Sequence, residues 1–290
     1  MTVGAFGVRD EPMRKHTSLH IGGPADYFVA VANERDLVGA VAIARENELP
    51  VFMLGGGTNL LVSDLGIRGV VLENNWNETS VDGLVVSAAS GTPMASVAAA
   101  AARSGMLGLE WMATVPGTVG GAVHGNAGAF GSETTDVLVD AELMDLNGDR
   151  WTETNAELGF AYRTSKLQGT PIIVVRARFR GTPGERQAAV RRIKEIANER
   201  MAKQPLTQPN TGSIFRNPPG DHAGRLIEAA GLKGATIGGA MVSTKHANFI
   251  VNVGDASADD VKGLMERCQR EVREQFGIEL IPEVELVGEW

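Results

Sequence analysis

The chain has 290 residues, 43% hydrophobic and 21% charged; that composition excludes wholesale disorder, and the length suggests about two domains of ~100–200 residues. Its net charge of −8, from 27 basic and 35 acidic residues, argues against a general nucleic-acid binder. The single cysteine, Cys268, excludes an internal disulfide, no Cys/His set has zinc spacing, and neither residues 1–10 nor any later stretch has an apolar run of signal or membrane length, so a cytoplasmic protein with no metal and no membrane insertion is expected.

The elements follow in chain order. Residues 27–31 predict a strand. Residues 34–48 predict a helix with Leu37, Val38, Val41, Ala42 and Ala44 on one face, stopped by Pro50. Residues 51–54 predict a buried strand running into Gly55-Gly56-Gly57-Thr58-Asn59, and 69–72 another. A second part begins near residue 75, with a strand at 84–89. Thr92-Pro93 then opens an alanine-rich helix to Arg103, closed by Gly105. Residues 137–146 alternate, Asn147-Gly148 is a hairpin turn, and 150–154 return. Residues 172–180 form another alternating strand. Thr182-Pro183-Gly184-Glu185 has capping-box spacing and starts a helix to about Lys203. After a Pro- and Asn-rich loop at 204–219 come a short helix at 221–230, a strand at 247–252, a helix capped by Ser257 and a last strand at 278–287. The boundary is expected near residue 203.

Charge is uneven. Residues 201–250 carry net +3, whereas 1–200 carry −5 and 251–290 carry −6. A basic segment inside an acidic chain suits a local anionic ligand, although chance produces such windows. Glycine is the other signal, at 36 residues. In Gly55-Gly56-Gly57-Thr58-Asn59-Leu60 the backbone can approach a ligand closely and turn successive N–H groups toward a phosphate. Neither standard nucleotide fingerprint is present; the bland alternative is a tight turn. Val115-Pro116-Gly117-Thr118-Val119-Gly120-Gly121 continues into Asn126-Ala127-Gly128-Ala129-Phe130-Gly131. Its small, uncharged residues suit a flat aromatic ligand lying on backbone.

These loops, with His16-Thr17-Ser18-Leu19-His20-Ile21-Gly22-Gly23-Pro24-Ala25, Tyr162-Arg163-Thr164-Ser165, Gly212-Ser213-Ile214-Phe215-Arg216-Asn217-Pro218, Ala230-Gly231-Leu232-Lys233-Gly234 and Pro282-Glu283-Val284, resemble the UDP-N-acetylenolpyruvoylglucosamine reductases (UDP-N-acetylmuramate dehydrogenases). The resemblance runs from His16 to about Val287. It implies an α+β fold: a two-part FAD-binding domain of the vanillyl-alcohol-oxidase (PCMH) type, at 1–74 and 75–203, and a C-terminal α+β substrate domain at 204–290. It implies bound FAD, NADPH as co-substrate, and reduction of UDP-N-acetylglucosamine enolpyruvate to UDP-N-acetylmuramate for peptidoglycan. Ser165 is followed within six residues by Pro171 and a strand, so the chain resembles the shorter form of the family, without a tyrosine-bearing insertion. The alternatives are another FAD oxidoreductase of the same fold, or a nucleotide-sugar-binding protein that has lost its chemistry.

Hydride addition to an enolpyruvyl group leaves charge beside a carboxylate, so the site needs a cation near the carboxylate and an acid over the α-carbon. By resemblance Arg163 stabilises the enolate, Ser213 donates the proton, and Glu283 assists. Alone, Arg163 reads as a surface strand-end residue and Ser213 as a turn serine; Glu285 shares Glu283's face of an extended strand. Gly55, Gly56, Gly57, Thr58, Asn59, Leu60, Val115, Pro116, Gly117, Gly120, Gly121, Asn126 and Gly128 are expected to hold FAD. Arg216, Asn217 and Lys233 are expected on the UDP-sugar, with Arg225 a weaker candidate. His246 and Asn248 read equally well as edge packing, and Cys268 as core.

Overall fold

A computed structural model describes residues 7–290. The N-terminal stretch 1–6, part of the segment without a signal-type run, lies outside the described residues. The chain divides into two compact units. The first comprises Tyr27–Gly56 and Gly69–Arg200 with the described residues up to Val8; the second comprises Arg9–Asp26, Gly57–Arg68 and Met201–Trp290. Two segments expected in the first flavin part, 9–26 and 57–68, therefore fold with the C-terminal residues.

The first unit holds two cores. One lies on a five-stranded antiparallel sheet in the order Arg150–Thr154, Leu138–Met144, Ile173–Arg180, Val85–Ala89, Thr79–Asp82. Alternation decides the faces: in Ile173–Arg180, Val175, Ala177 and Phe179 are buried while Arg178 and Arg180 are exposed. The helix Met94–Arg103 buries Met94, Val97, Ala98 and Ala101 in the same core as Phe179 and Trp111. The helix is not capped as expected. Pro93 occupies the N-cap without a side-chain bond, and Thr92 Oγ1 instead exchanges hydrogen bonds with the backbone of Glu78.

The second core of this unit packs the helix Glu34–Glu46 against Val70, Leu72 and Trp76. Asn33 caps that helix, accepting from the Asp36 amide at 2.9 Å. Its buried face is Leu37, Ala40, Val41 and Ala44, so Ala40 takes the place expected of Ala42. Val51–Leu54 pairs in parallel with Val70, Val71, Leu72 and Glu73.

Asn147-Gly148 lies in a longer loop than a two-residue turn. Asp145 closes it, accepting from the amides of Asn147 and Asp149. The expected capping box at Thr182 does not form. Thr182–Pro183 pairs with Met106–Leu107 as a strand, and the helix begins at Arg186. Local spacing allowed both, and strand pairing used the backbone that the box needed.

In the second unit the strands Thr236–Ile237, Ala240–Val242 and Ile250–Asn252 form an antiparallel meander. The helix Ala258–Phe276 buries Val261, Leu264, Met265, Cys268 and Val272 in its core. Each such aliphatic side chain contributes about 1.5–3 kcal/mol by leaving water. Ser257 and Asp260 close a reciprocal capping box, and Gly277 ends the helix at φ 68°. Leu19, Ile21, Leu61, Ile214 and Phe215 join this core, which is why the early segments belong here. The expected strand 278–287 is regular only at Glu285–Val287, in parallel with Leu60–Val62.

Candidate active site

In the first unit the loop before the short helix Val119–Gly125 brings Thr118 against Gly55. A Cβ on Gly55 would lie 2.5 Å from Thr118 Oγ1, so any side chain there would force the Thr118 hydroxyl to move. At Gly121 an added Cβ would meet nothing nearer than Thr118 Oγ1, at 3.8 Å. The backbone there is open. Gly56 and Pro116 are exposed, and Val115 is half-buried. The other expected cradle residues have duties within the protein. The Gly117 carbonyl accepts from the Met94 amide at 3.1 Å, and the Gly120 amide donates to the Ser90 carbonyl at 2.8 Å. Gly120 therefore gives close packing and no free N–H.

Asn126 departs furthest from its expected role. Its side chain is fully buried. Nδ2 donates to the Ala161 carbonyl at 2.9 Å and to Glu133 at 2.8 Å, and Oδ1 accepts from the Thr135 amide. Its side chain holds protein groups because the Ala161 carbonyl and the Thr135 amide need partners. Ala161 and Thr164 close a tight turn with Tyr162 and Arg163 at its tip. Arg163 sits at φ 57°, a strained setting for a side-chain residue. Its Nη2 donates to the Gly128 carbonyl at 2.8 Å, Nη1 lies 3.7 Å from Glu133, and its guanidinium stacks 5.0 Å over the Tyr162 ring. It is a half-buried, tethered cation, unlike a free surface arginine.

The second unit joins four remote segments. Gly57 adopts φ +60°, and a Cβ there would lie 2.0 Å from the His16 carbonyl. The Ser18 amide donates to the Gly57 carbonyl at 3.0 Å, and Ser18 Oγ to the Asn210 carbonyl at 2.7 Å. Asn59 Nδ2 donates to the Glu283 carbonyl at 3.0 Å, while the Asn59 carbonyl accepts from the Glu285 amide at 2.9 Å. Asn59 thus ties the glycine loop to the Glu283 segment, a duty its sequence did not suggest. Leu60 lies in the strand beside Glu285, and Thr58 is half-buried between them and Gly57 in the chain.

The Glu283 amide donates to the Ile214 carbonyl at 2.7 Å, and the Arg216 amide to the Ile281 carbonyl at 2.9 Å. Ser213 and Glu283, both half-buried, are therefore carried on adjacent paired segments, whereas Glu285 is exposed. Arg216 Nε is buried with no hydrogen-bond partner among the described residues. An unpaired buried guanidinium N–H calls for an anion. Asn217 uses Oδ1 on the Ala223 amide, at 3.1 Å, at the start of the helix Ala223–Ala229. Lys233 pairs with Glu228 at 2.7 Å. Arg225 is bound to Asp221, whose carboxyl it pulls down to about 2. His246 Nδ1 accepts from the Asn248 amide at 3.2 Å; burial, then the Lys233 charge, lower its pKa. Burial pushes the Cys268 thiol up to about 12, which suits core packing.

Residues 204–287 match the C-terminal domain of UDP-N-acetylenolpyruvoylglucosamine reductase, and residues 25–153 match an FAD binding domain. UDP-N-acetylenolpyruvoylglucosamine reductase 2 of Symbiobacterium thermophilum is 46% identical over 97% of this chain and 92% of its own. This chain belongs to the UDP-N-acetylenolpyruvoylglucosamine reductase family. The reductase of Caldanaerobacter subterraneus is 44% identical over 97% of this chain and 93% of its own. The crystal structure of the Thermus caldophilus reductase (MurB) matches with a TM-score of 0.83 at 35% identity, covering 97% of this chain and 98% of that one. The fold is the expected α+β type with an FAD-binding domain. For a member of this reductase family the first unit fits a flavin: Gly121 leaves open backbone beside the close Gly55–Thr118 contact, and the Trp111 Nε1 on the preceding turn is buried without a partner among the described residues.

Proposed function

We propose that this chain is the NADPH-driven flavoenzyme that reduces UDP-N-acetylglucosamine enolpyruvate to UDP-N-acetylmuramate. The observation that carries the reading is the Glu283 amide bond to the Ile214 carbonyl, at 2.7 Å, which joins the segments bearing Ser213 and Glu283 across the sequence. Bound FAD would supply the hydride chemistry between NADPH and the outer carbon of the enolpyruvyl group. Gly55, Gly121 and the open backbone around Thr118 would hold it. Arg163, tethered by Gly128 and Glu133, presents a permanent cation to the substrate carboxylate as charge develops there. The Ser213 hydroxyl gives its proton to the α-carbon. Glu283, on the neighbouring segment, supports the enolate and proton delivery. Arg216 and Lys233 receive the diphosphate, with Asn217 holding the adjoining helix start.

In this reading residues 1–74 and 75–203 form the flavin part and 204–290 the UDP-sugar part, with 9–26 and 57–68 supporting the latter. The enzyme works in the cytoplasm on peptidoglycan precursors, and so serves cell-wall growth, cell shape and division. The test is anaerobic absorbance. One equivalent of NADPH should bleach the flavin band, and UDP-N-acetylglucosamine enolpyruvate should restore it. Bleaching without return points to another acceptor. No flavin band after adding FAD leaves a binding protein without the chemistry.

A further inference from the structure

We propose that Asn248 is a positioning residue for proton delivery, its buried carboxamide setting the placement of the segment that carries Ser213. The proposal rests on the reading of Ser213 as the acid. Asn248 is 3% exposed. Its Oδ1 accepts from the Phe215 amide at 3.0 Å, and its Nδ2 donates to the Phe215 carbonyl at 2.8 Å. Its own carbonyl accepts from the Ile214 amide at 2.9 Å. One side chain thus answers both backbone groups of one residue, as a neighbouring strand would.

That substitution matters because no regular ladder reaches the segment. The strand Ile250–Asn252 begins two residues after Asn248, and Phe215 meets Pro282 only in an isolated bridge. On its other side the segment is held by the Ile214–Glu283 and Arg216–Ile281 bonds. Without the carboxamide, the Phe215 amide and carbonyl would lose their partners in a buried setting. The segment would then shift or rotate to find others. Ser213 lies two residues upstream of the clamp, and Glu283 is bonded to the residue between them. A small displacement there moves the hydroxyl away from the α-carbon, and proton transfer is steeply sensitive to such geometry. No group of Asn248 itself reaches a reacting atom in this account; it acts through Phe215 and Ile214.

The experiment uses the FAD-loaded full chain and follows the two half-reactions separately by stopped flow. Asn248→Ala should leave flavin reduction by NADPH within about 2-fold of the parent and substrate affinity within about 3-fold. It should slow reoxidation by the enolpyruvyl substrate by at least ~10-fold. Because it acts through Ser213, the double variant Ser213→Ala/Asn248→Ala should be no slower than Ser213→Ala alone. A merely structural role would slow both half-reactions together, or multiply with Ser213→Ala, and either result overturns the proposal. So does reoxidation within about 2-fold of the parent. If Asn248→Ala does not fold, Asn248→Ser, which keeps one hydrogen-bonding group, carries the same comparison. Slow Ser213→Ala beside a fast Asn248 variant removes only the positioning role. A fast Ser213→Ala removes the acid reading and this proposal with it.

Discussion

The two units organise their candidate residues in opposite ways. In the first unit most of them come from one stretch, 115–131, joined by Gly55 and the Arg163 turn. Close approach is the main device: Gly55 touches Thr118, and Gly120 packs on Ser90. In the second unit the residues come from four segments, near positions 16–18, 57–60, 210–217 and 281–285, with Asn248 completing the set. Hydrogen bonds to backbone groups, from other backbone groups and from the Asn59 and Asn248 side chains, are the main device there. A site built from one stretch tolerates little change in side-chain volume. A site built from remote segments depends on the few bonds that register them.

The largest expected effect tests the second unit. Ser213→Ala should slow reoxidation by the substrate by at least ~10²-fold, the scale of a lost general acid, with flavin reduction nearly intact. Equal losses in rapid-kinetic traces of both half-reactions would remove Ser213 as the acid.

The next sharpens the first unit. Gly55→Ala should cost about 1–3 kcal/mol in thermal unfolding of the flavin-free protein, as overpacking does, and weaken flavin binding in a fluorescence titration. Adding Thr118→Ala should recover most of the stability, because the remaining Thr118 Cβ lies 3.7 Å away. No recovery would mean that the contact with Thr118 is not what demands glycine.

Lys233→Ala should weaken UDP-sugar binding by about tenfold, the scale of a lost charge-assisted hydrogen bond, with a smaller change in kcat. Steady-state kinetics that leave KM unchanged would take Lys233 out of the site.

The smallest effect is on pH. The pKa of His246 is lowered by burial and by Lys233, so the folded state favours the neutral ring. Stability from that neutral ring is present above the ordinary value of 6.5 and is lost as pH falls from there toward the folded pKa. Denaturant titrations should show the native chain weakening below pH ~6.5 more than His246→Gln. Lys233→Ala should move the His246 titration upward by NMR. A His246 curve that ignores Lys233 would break the link between these two residues.

Much of the fold was legible because it rests on local chemistry. The helix Ala258–Phe276 announced itself through its cap, Ser257. The strand Val51–Leu54 lies where four consecutive apolar residues meet the glycine loop. Where local signals offered two uses for one backbone, tertiary pairing chose. Thr182 had the spacing of a cap and became a strand residue beside Leu107; Thr92 had the place of a cap and bonded Glu78. Asn59 and Asn126 looked like ligand residues because polar side chains beside glycines often are. The amides of both instead hold protein carbonyls, at Glu283 and Ala161. In the sequence Asn248 reads equally well as a site residue and as edge packing. Its neighbourhood cannot choose between them, because its side-chain partner lies 33 positions earlier.

The sequence by itself determined the family, the run of elements and the chemical types at the candidate positions, since motif residues and periodicity are properties of neighbours along the chain. The tertiary structure decided that residues 9–26 and 57–68 fold with the C-terminal unit, that Glu283 sits beside the Ser213 segment while Glu285 is exposed, and that Asn248 holds the register. Those outcomes depend on which buried backbone groups find partners, and no single stretch of sequence contains both halves of such a bond.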